Sequence, residues 1–389
     1  MLNLTRVYCN KEQPSDNLRY GMGHGAPRDA ASRRPVVVWN ITQRCNLACV
    51  HCYSDSESRI YPGELSFSEC RAVIEDLAQF RVPAVLLSGG EPLLHPLFFD
   101  LARHARSCGL NLTLSTNGTC ITRETARKIR YLGFRYVGIS LDGIGETHDQ
   151  FRGKAGSFQR AVAAFRYCRA AGQKSGLRLT LSRTTVADLE NILDFVESED
   201  IRRVCFYHLV HSGRGIGLQL LQPEEIRNAL DRILERTRKW AEQGNPREVL
   251  TVDQPADAAY VLMKLRREDP RRAEAAEKLL RWNGGGANSS GIGIGNIDPR
   301  GDVHPDQFWQ THTLGNVRHT PFSRIWTESQ SEILRGLRNR LPQLRGNCGD
   351  CSWKTICGGG FRVRAMQHSG DPWGTDPGCY LTAEERAAA

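Results

Sequence analysis

Two groups of cysteines carry the chemistry legible in this sequence. The first is Cys45-Asn46-Leu47-Ala48-Cys49-Val50-His51-Cys52-Tyr53, a C-x3-C-x2-C spacing. Three thiolates on a short loop can hold three irons of a 4Fe–4S cluster and leave the fourth without a protein ligand. A metal centre with an open position serves catalysis rather than architecture. The alternative is a zinc site completed by His51 or a distant residue, but zinc ribbons pair C-x2-C knuckles, which this spacing fits poorly. The second group is Cys348-Gly349-Asp350-Cys351, then Cys357 and Cys379, a C-x2-C-x5-C-x21-C pattern. Four thiolates complete a cluster or a zinc tetrahedron, and the spacing alone leaves both open. Cys9, Cys70, Cys108, Cys120, Cys168 and Cys205 mostly fall in apolar helix or strand patterns and read as packing residues.

These groups must be positioned by β–α repeats. β-branched and apolar runs predict strands over 36–41, 84–88, 110–115, 136–141, 177–181 and 204–210. Helix-period segments lie between them, over 68–80, 96–108, 122–132, 157–171 and 187–198. Each crossover is long enough for a helix, so the strands are expected to be parallel. Ligands in such sheets sit at the carboxyl ends of the strands. Those ends carry Gly89-Gly90, Thr116-Asn117-Gly118, Asp142-Gly143 and Ser212-Gly213-Arg214-Gly215. One such ending is an ordinary turn; four in one sheet point to a shared site.

Composition narrows the class. The chain has 389 residues, 40% of them hydrophobic, enough for two or three domains with ample core and too many for wholesale disorder. No apolar run approaches the ~20 residues of a spanning helix, and the N-terminus has no apolar signal region. A cytoplasmic, non-membrane protein is expected. Thirteen cysteines in clusters suit metal binding in a reducing compartment better than a disulfide scaffold. The charge of +9 is modest, and no basic block or aromatic-interleaved patch points to nucleic acid. The chain divides into an arm over 1–34 with one short packed piece around residues 2–7, a β–α unit over 35–215, a helical connector and Gly-rich loop over 216–295, and a small cysteine domain over 296–389.

Taken in order, the motifs resemble those of the radical S-adenosylmethionine (SAM) superfamily. C-x3-C-x-H-C-Y after the first strand resembles its cluster loop. Gly89-Gly90-Glu91-Pro92 resembles the motif on which the SAM amino group rests. Ser115-Thr116-Asn117-Gly118 and Ser140-Leu141-Asp142-Gly143 resemble the third- and fourth-strand motifs that meet SAM's ribose and carboxylate. Arg152 resembles an arginine that pairs with that carboxylate, and His51 matches a position near the adenine. The resemblance implies an α/β fold, a partial (β/α)6 TIM barrel. It also implies a radical-generating cluster on Cys45, Cys49 and Cys52, and a 5′-deoxyadenosyl radical that abstracts hydrogen from substrate.

The C-terminal cysteines resemble the auxiliary-cluster domains of the SPASM or twitch type. A full SPASM domain has seven cysteines and two auxiliary clusters. Here Asp306 stands where a G-x4-C cysteine is expected, and Phe361 stands where another would follow Cys357. The resemblance therefore implies one auxiliary 4Fe–4S cluster, on Cys348, Cys351, Cys357 and Cys379, beside the SAM-binding one.

Segments 296–309, 357–365 and 370–373 resemble the tetrapyrrole-modifying branch, most of all the heme d1 biosynthesis enzymes. That implies an oxidoreductase removing two propionate side chains of 12,18-didecarboxysiroheme on the way to the oxo groups of heme d1. A flavodoxin- or ferredoxin-like electron donor would serve it. Arg214, Arg362 and Arg364 are candidates to meet substrate carboxylates, and His208, His304 and Asp306 to touch the substrate, His208 and Asp306 as catalytic groups. The rival readings are acetate decarboxylation of the same compound in a siroheme-dependent heme pathway, a peptide-modifying SPASM enzyme, and an iron–sulfur or zinc scaffold.

Overall fold

The computed structural model describes residues 1–16 and 33–388; the rest of the expected arm, 17–32, lies outside the described residues, as does residue 389. Seven strands run parallel, in the order they occur in the chain: β2 (Val36–Thr42), β3 (Val85–Gly89), β4 (Leu112–Thr116), β5 (Tyr136–Ser140), β6 (Ser175–Leu181), β7 (Arg203–His208) and β8 (Glu248–Val252). The sheet does not close. β1 (Leu2–Asn3) pairs antiparallel with β8 at one edge. At the other, β9 (Ile294–Ile297) pairs parallel with β2, followed antiparallel by β10 (Asp302–His304) and β11 (Gly315–Asn316). The fold is a partial barrel of the expected class, with two parallel strands, β8 and β9, beyond the six read from the sequence.

β8 comes from the stretch expected to be a helical connector. Glu248-Val249-Leu250-Thr251-Val252 is wholly buried against β7. It lies between the helices Pro223–Glu242 and Ala256–Glu268, whose charged faces dominate the local composition and masked a five-residue run with only three apolar residues. β9 likewise begins inside the expected Gly-rich loop, so sheet pairing runs across the expected boundary at 295–296. The segment Leu2–Val7 packs as anticipated, with Leu2, Leu4 and Val7 in the core and Thr5 Oγ1 donating to Arg247 O at 2.6 Å.

The helices cover the outer face of the sheet. Phe67–Gln79 begins with a capping box: Ser66 Oγ accepts from Glu69 N, and Ser66 N donates to Glu69 Oε2 at 2.7 Å. Its buried face of Cys70, Val73, Ile74 and Leu77 recurs at the helical period. Leu189, Ile192, Leu193 and Val196 repeat that pattern in Leu189–Ser198. The small domain is fastened onto the barrel. Ser323 N donates to Asp76 Oδ2 at 3.0 Å, and Phe322 meets Phe80 edge-on. Among the described residues, no helix is long and apolar enough to cross a membrane.

Candidate active site

Cys45, Cys49 and Cys52 lie on the loop after β2, and their side chains pack together with Leu47. The loop is held from outside. Ala48 N donates to Arg152 O at 3.2 Å and Val50 N to Phe151 O at 3.1 Å, which docks it on the helix Glu146–Arg152. Arg214 fastens the other side, with Nε donating to Cys49 O at 2.9 Å, Nη2 to Ser56 O at 3.0 Å, and Nη1 paired with Asp55. Burial pushes the Cys45 thiol up to about 12 and also raises Cys49, where the Arg152 guanidinium opposes it. Such thiols ionise only for a metal that takes their protons' place.

Strand ends surround this loop. Gly90 N donates to Thr42 O and Glu91 N to Arg44 O, both at 2.8 Å, so the end of β3 lies directly on the loop after β2. A Cβ on Gly89 would run into Thr42 O, and one on Gly90 into Arg44 O, which is why two glycines stand here. The Glu91 carboxylate is fully buried and accepts from Thr116 Oγ1 and from Asn117 N at 2.8 Å, tying β3 to β4. Burial pushes it up to about 7 against those donors. Pro92 opens the single turn that follows. Asn117 Nδ2 approaches Cys45 Sγ at 3.8 Å and donates to Asn46 Oδ1 at 3.0 Å.

Asp142, at the end of β5, pairs with Arg152, and its Oδ1 accepts from Thr180 N at 2.6 Å. Burial opposes its ionisation, but Arg152 overrides this and holds the carboxyl below its usual range. His51 stacks on Phe151 with ring centres 4.6 Å apart. Burial keeps it neutral, down to about 4, and its Nδ1 is buried without a partner. Arg152 Nε is orphaned in the same way. Three grouped thiols and two unpartnered buried nitrogens fit a cluster loop with a polar ligand beside it. Ser115 and Ser140 complete the arc on β4 and β5, both partly buried.

The second cysteine group also converges. Cys348, Cys351, Cys357 and Cys379 line one cavity of about 150 Å³. A single water needs roughly 10–15 Å³ by this measure, so the chamber has room for a multi-atom group. Four thiolates around one chamber are a donor set able to hold a cluster. Gly358, Gly359 and Gly360 follow Cys357 with φ of 67°, 80° and 78°, a left-handed run that glycine alone adopts freely. It turns Gly360 N towards Cys357 Sγ at 3.1 Å. Gln254, just after β8, lines the same chamber, so the barrel supplies part of its wall.

Several candidates for substrate contact have other employment. Arg364 forks onto Asp376 at 2.7 and 2.8 Å. Arg362 donates to Pro372 O and Gly374 O, and Nη2 lies 3.5 Å from Cys348 Sγ. Both are buried, with the terminal nitrogens of Arg362 and the fork of Arg364 already engaged; Arg214 is spent on the cluster loop. His208 bonds Asp257 Oδ2 at 3.1 Å, and Asp257 also accepts from Tyr380 Oη at 2.8 Å. Asp306 accepts from Ser290 Oγ and, at 2.7 Å, from Phe308 N. Burial pushes it up to about 6. Its loop does reach the barrel mouth: Phe308 meets Tyr53 edge-on, and Gln310 Nε2 donates to Tyr53 O at 2.9 Å. His304 Nδ1 bonds His312 O at 2.9 Å.

Asp253 was not singled out from the sequence. It follows β8 with φ of 65°, and its Oδ2 is buried without a partner. Burial, with Asp306 adding to it, pushes its carboxyl up to about 7. An aspartate holding a left-handed turn at a strand's carboxyl end is the only signal it left.

A partial parallel barrel with an open three-cysteine loop at its mouth, backed by a four-cysteine chamber, defines an iron–sulfur enzyme of the SAM-cleaving kind. The model of the radical SAM superfamily matches residues 39–196, and that of the iron–sulfur cluster-binding SPASM domain matches residues 293–352. Along 99% of its length the chain is 47% identical to the Fe-coproporphyrin III synthase of Methanosarcina barkeri, covering 98% of that protein. It is 43% identical to the pre-heme d1 synthase of Dinoroseobacter shibae, over 92% of this chain and 88% of the relative. The solved structure of Streptococcus suis SuiB bound to S-adenosylmethionine shares the fold, with a TM-score of 0.69 at 16% identity over 90% of this chain and 78% of that one. The chain belongs to the radical SAM superfamily and carries a SPASM domain. It is a radical SAM enzyme whose cofactors are 4Fe–4S clusters, SAM-binding and auxiliary, and SAM itself.

Proposed function

We propose that this enzyme removes the two propionate side chains of 12,18-didecarboxysiroheme on the way to the oxo groups of heme d1. The observation that carries the reading is the 43% identity to a pre-heme d1 synthase along 92% of the chain. Cys45, Cys49 and Cys52 hold the SAM-binding cluster, and Cys348, Cys351, Cys357 and Cys379 the auxiliary one. When bound, the first cluster and SAM supply a radical able to take an unactivated hydrogen. The chain's own part is placement. Gly89-Gly90-Glu91-Pro92 offers the SAM amino group its backbone, while Ser115, Asn117, Ser140, Asp142 and Arg152 border the ribose and carboxylate. His51 and Phe151 form a flat apolar wall for the adenine. A small carrier such as flavodoxin or ferredoxin delivers electrons. None of the thirteen cysteines forms a disulfide, in keeping with a reducing compartment.

A second reading has its own support. The 47% identity to an Fe-coproporphyrin III synthase, over 99% of the chain, favours reaction at the acetate side chains of the same compound. Anaerobic turnover with reconstituted protein, SAM, a reductant and 12,18-didecarboxysiroheme, read by mass spectrometry, separates the two. Loss of propionate-derived mass with stoichiometric 5′-deoxyadenosine supports the first. Conversion to Fe-coproporphyrin III supports the second, and an unchanged tetrapyrrole defeats both.

A further inference from the structure

Arg178 of β6 carries a guanidinium that pairs with no carboxylate among the described residues. Leu177 and Leu179 point outward into the core, so strand alternation turns Arg178 into the barrel lumen. Its Nη1 donates to Ser115 Oγ at 2.9 Å, while its Nε is buried without a partner. The groups around it are Tyr207, Tyr136 and Cys205, together with a second cation, Arg203. The Tyr207 ring lies 5.7 Å away.

The fully buried arginines differ: Arg340 spends its donors on Leu337 O and Ser290 O, Arg362 spends its own on Pro372 O and Gly374 O, and others have carboxylates. Arg152 has Asp142, Arg364 has Asp376, and Arg203 has Glu248 at 3.5 Å. A buried charge without a counter-ion is costly unless something supplies one. The chain also keeps space for this one. A Cβ on Gly138 would overlap Arg178 Nε, so glycine at that position lets the side chain cross β5 to reach Ser115 on β4. The lumen beside it is polar: Asn40 pairs in register with Ser88, and Tyr53 Oη donates to Asn40 Oδ1 at 3.2 Å.

We propose that Arg178 is the seat for a carboxylate arm of the substrate, reaching into the lumen beside bound SAM. For the identity of the anion this rests on the tetrapyrrole reading above. Arg178 pairs in register with Ser140 and bonds Ser115, two residues bordering the SAM site, so an arm held there lies next to where hydrogen is taken. A guanidinium grips a carboxylate with two parallel hydrogen bonds, which fixes orientation as well as charge. A macrocycle across the barrel mouth has several carboxylate arms, and this cation selects which one enters. SAM's own carboxylate is the competing occupant, but it has Arg152 at the cluster loop.

The test is a pair of anaerobic titrations on reconstituted wild-type, R178Q, R178K and G138A proteins. 12,18-Didecarboxysiroheme binding is read by its absorbance, and SAM binding by the EPR of the reduced protein. R178Q is expected to weaken tetrapyrrole binding roughly tenfold or more while SAM binding holds. R178K recovers part of the loss. G138A, which keeps the charge but pushes the guanidinium off Ser115, loses affinity too. A fully esterified substrate binds wild type more weakly, and R178Q abolishes the difference. Unchanged tetrapyrrole affinity in R178Q overturns the proposal, as does loss of SAM binding with tetrapyrrole binding intact. Wild-type protein that ignores the tetrapyrrole overturns the substrate reading itself, and with it the identity of the anion.

Discussion

Arg152 Nη1 lies 3.5 Å from Cys49 Sγ while the same guanidinium pairs with the buried Asp142. One cation thus links the cluster loop to the end of β5. Breaking a buried pair by removing one partner costs about 3–5 kcal/mol, because the other charge stays behind. R152Q is expected to lower the thermal midpoint and the iron content of the cluster loop together. R152K, which keeps the charge without the fork, recovers part of both. Iron quantitation alongside thermal unfolding checks this, and normal iron in a destabilised R152Q would break the link.

The two cysteine groups are separable. C357A removes one ligand of the second chamber and is expected to drop reconstituted iron from ~8 to ~4 per chain. The SAM-dependent EPR change should survive. C49A should do the reverse, leaving the second cluster and abolishing the SAM response. Iron near ~12 in wild type would mean a further auxiliary cluster, for which the described residues offer no second set of four cysteines.

Arg214 was a candidate for substrate contact, but its donors go to Cys49 O, Ser56 O and Asp55. R214A is expected to make the loop cluster more labile, bleaching faster in air. Tetrapyrrole affinity should stay at the wild-type level. A raised tetrapyrrole dissociation constant with normal cluster lability would return Arg214 to the substrate site.

Asp253 sets a pH dependence. Burial pushes its folded-state pKa up to about 7, above an ordinary aspartate. The unfolded chain then releases this proton first, so stability falls as pH rises from the usual aspartate range to about 7 and is flat beyond. D253N removes the penalty, by up to about 4 kcal/mol above pH 7. The thermal midpoint difference between D253N and wild type should widen from pH 5.5 to pH 8. A difference independent of pH would show that Asp253 is ionised throughout.

Much of this architecture is local in origin and was therefore readable. Runs such as Val36-Val37-Val38 and Tyr136-Val137-Gly138-Ile139 make strands by their own side chains, and the helices between them keep their 3.6-residue period. The cysteine spacings are local as well, so both candidate donor sets stood out before any fold was known. β8 was missed because five residues between two highly charged helices carry too little pattern of their own.

What the order of residues could not show is which long-range partner each polar side chain finds. His208 meets Asp257, and through it Tyr380; Arg364 meets Asp376 and Gln254. These are contacts between segments brought together only when the sheet curls and the small domain docks. Arg178 is the clearest case. In Leu177-Arg178-Leu179 it reads as the polar face of a strand, which ordinarily means solvent. Only the curvature of the sheet turns that face into an enclosed lumen, and enclosure, not residue type, leaves its charge in need of an anion.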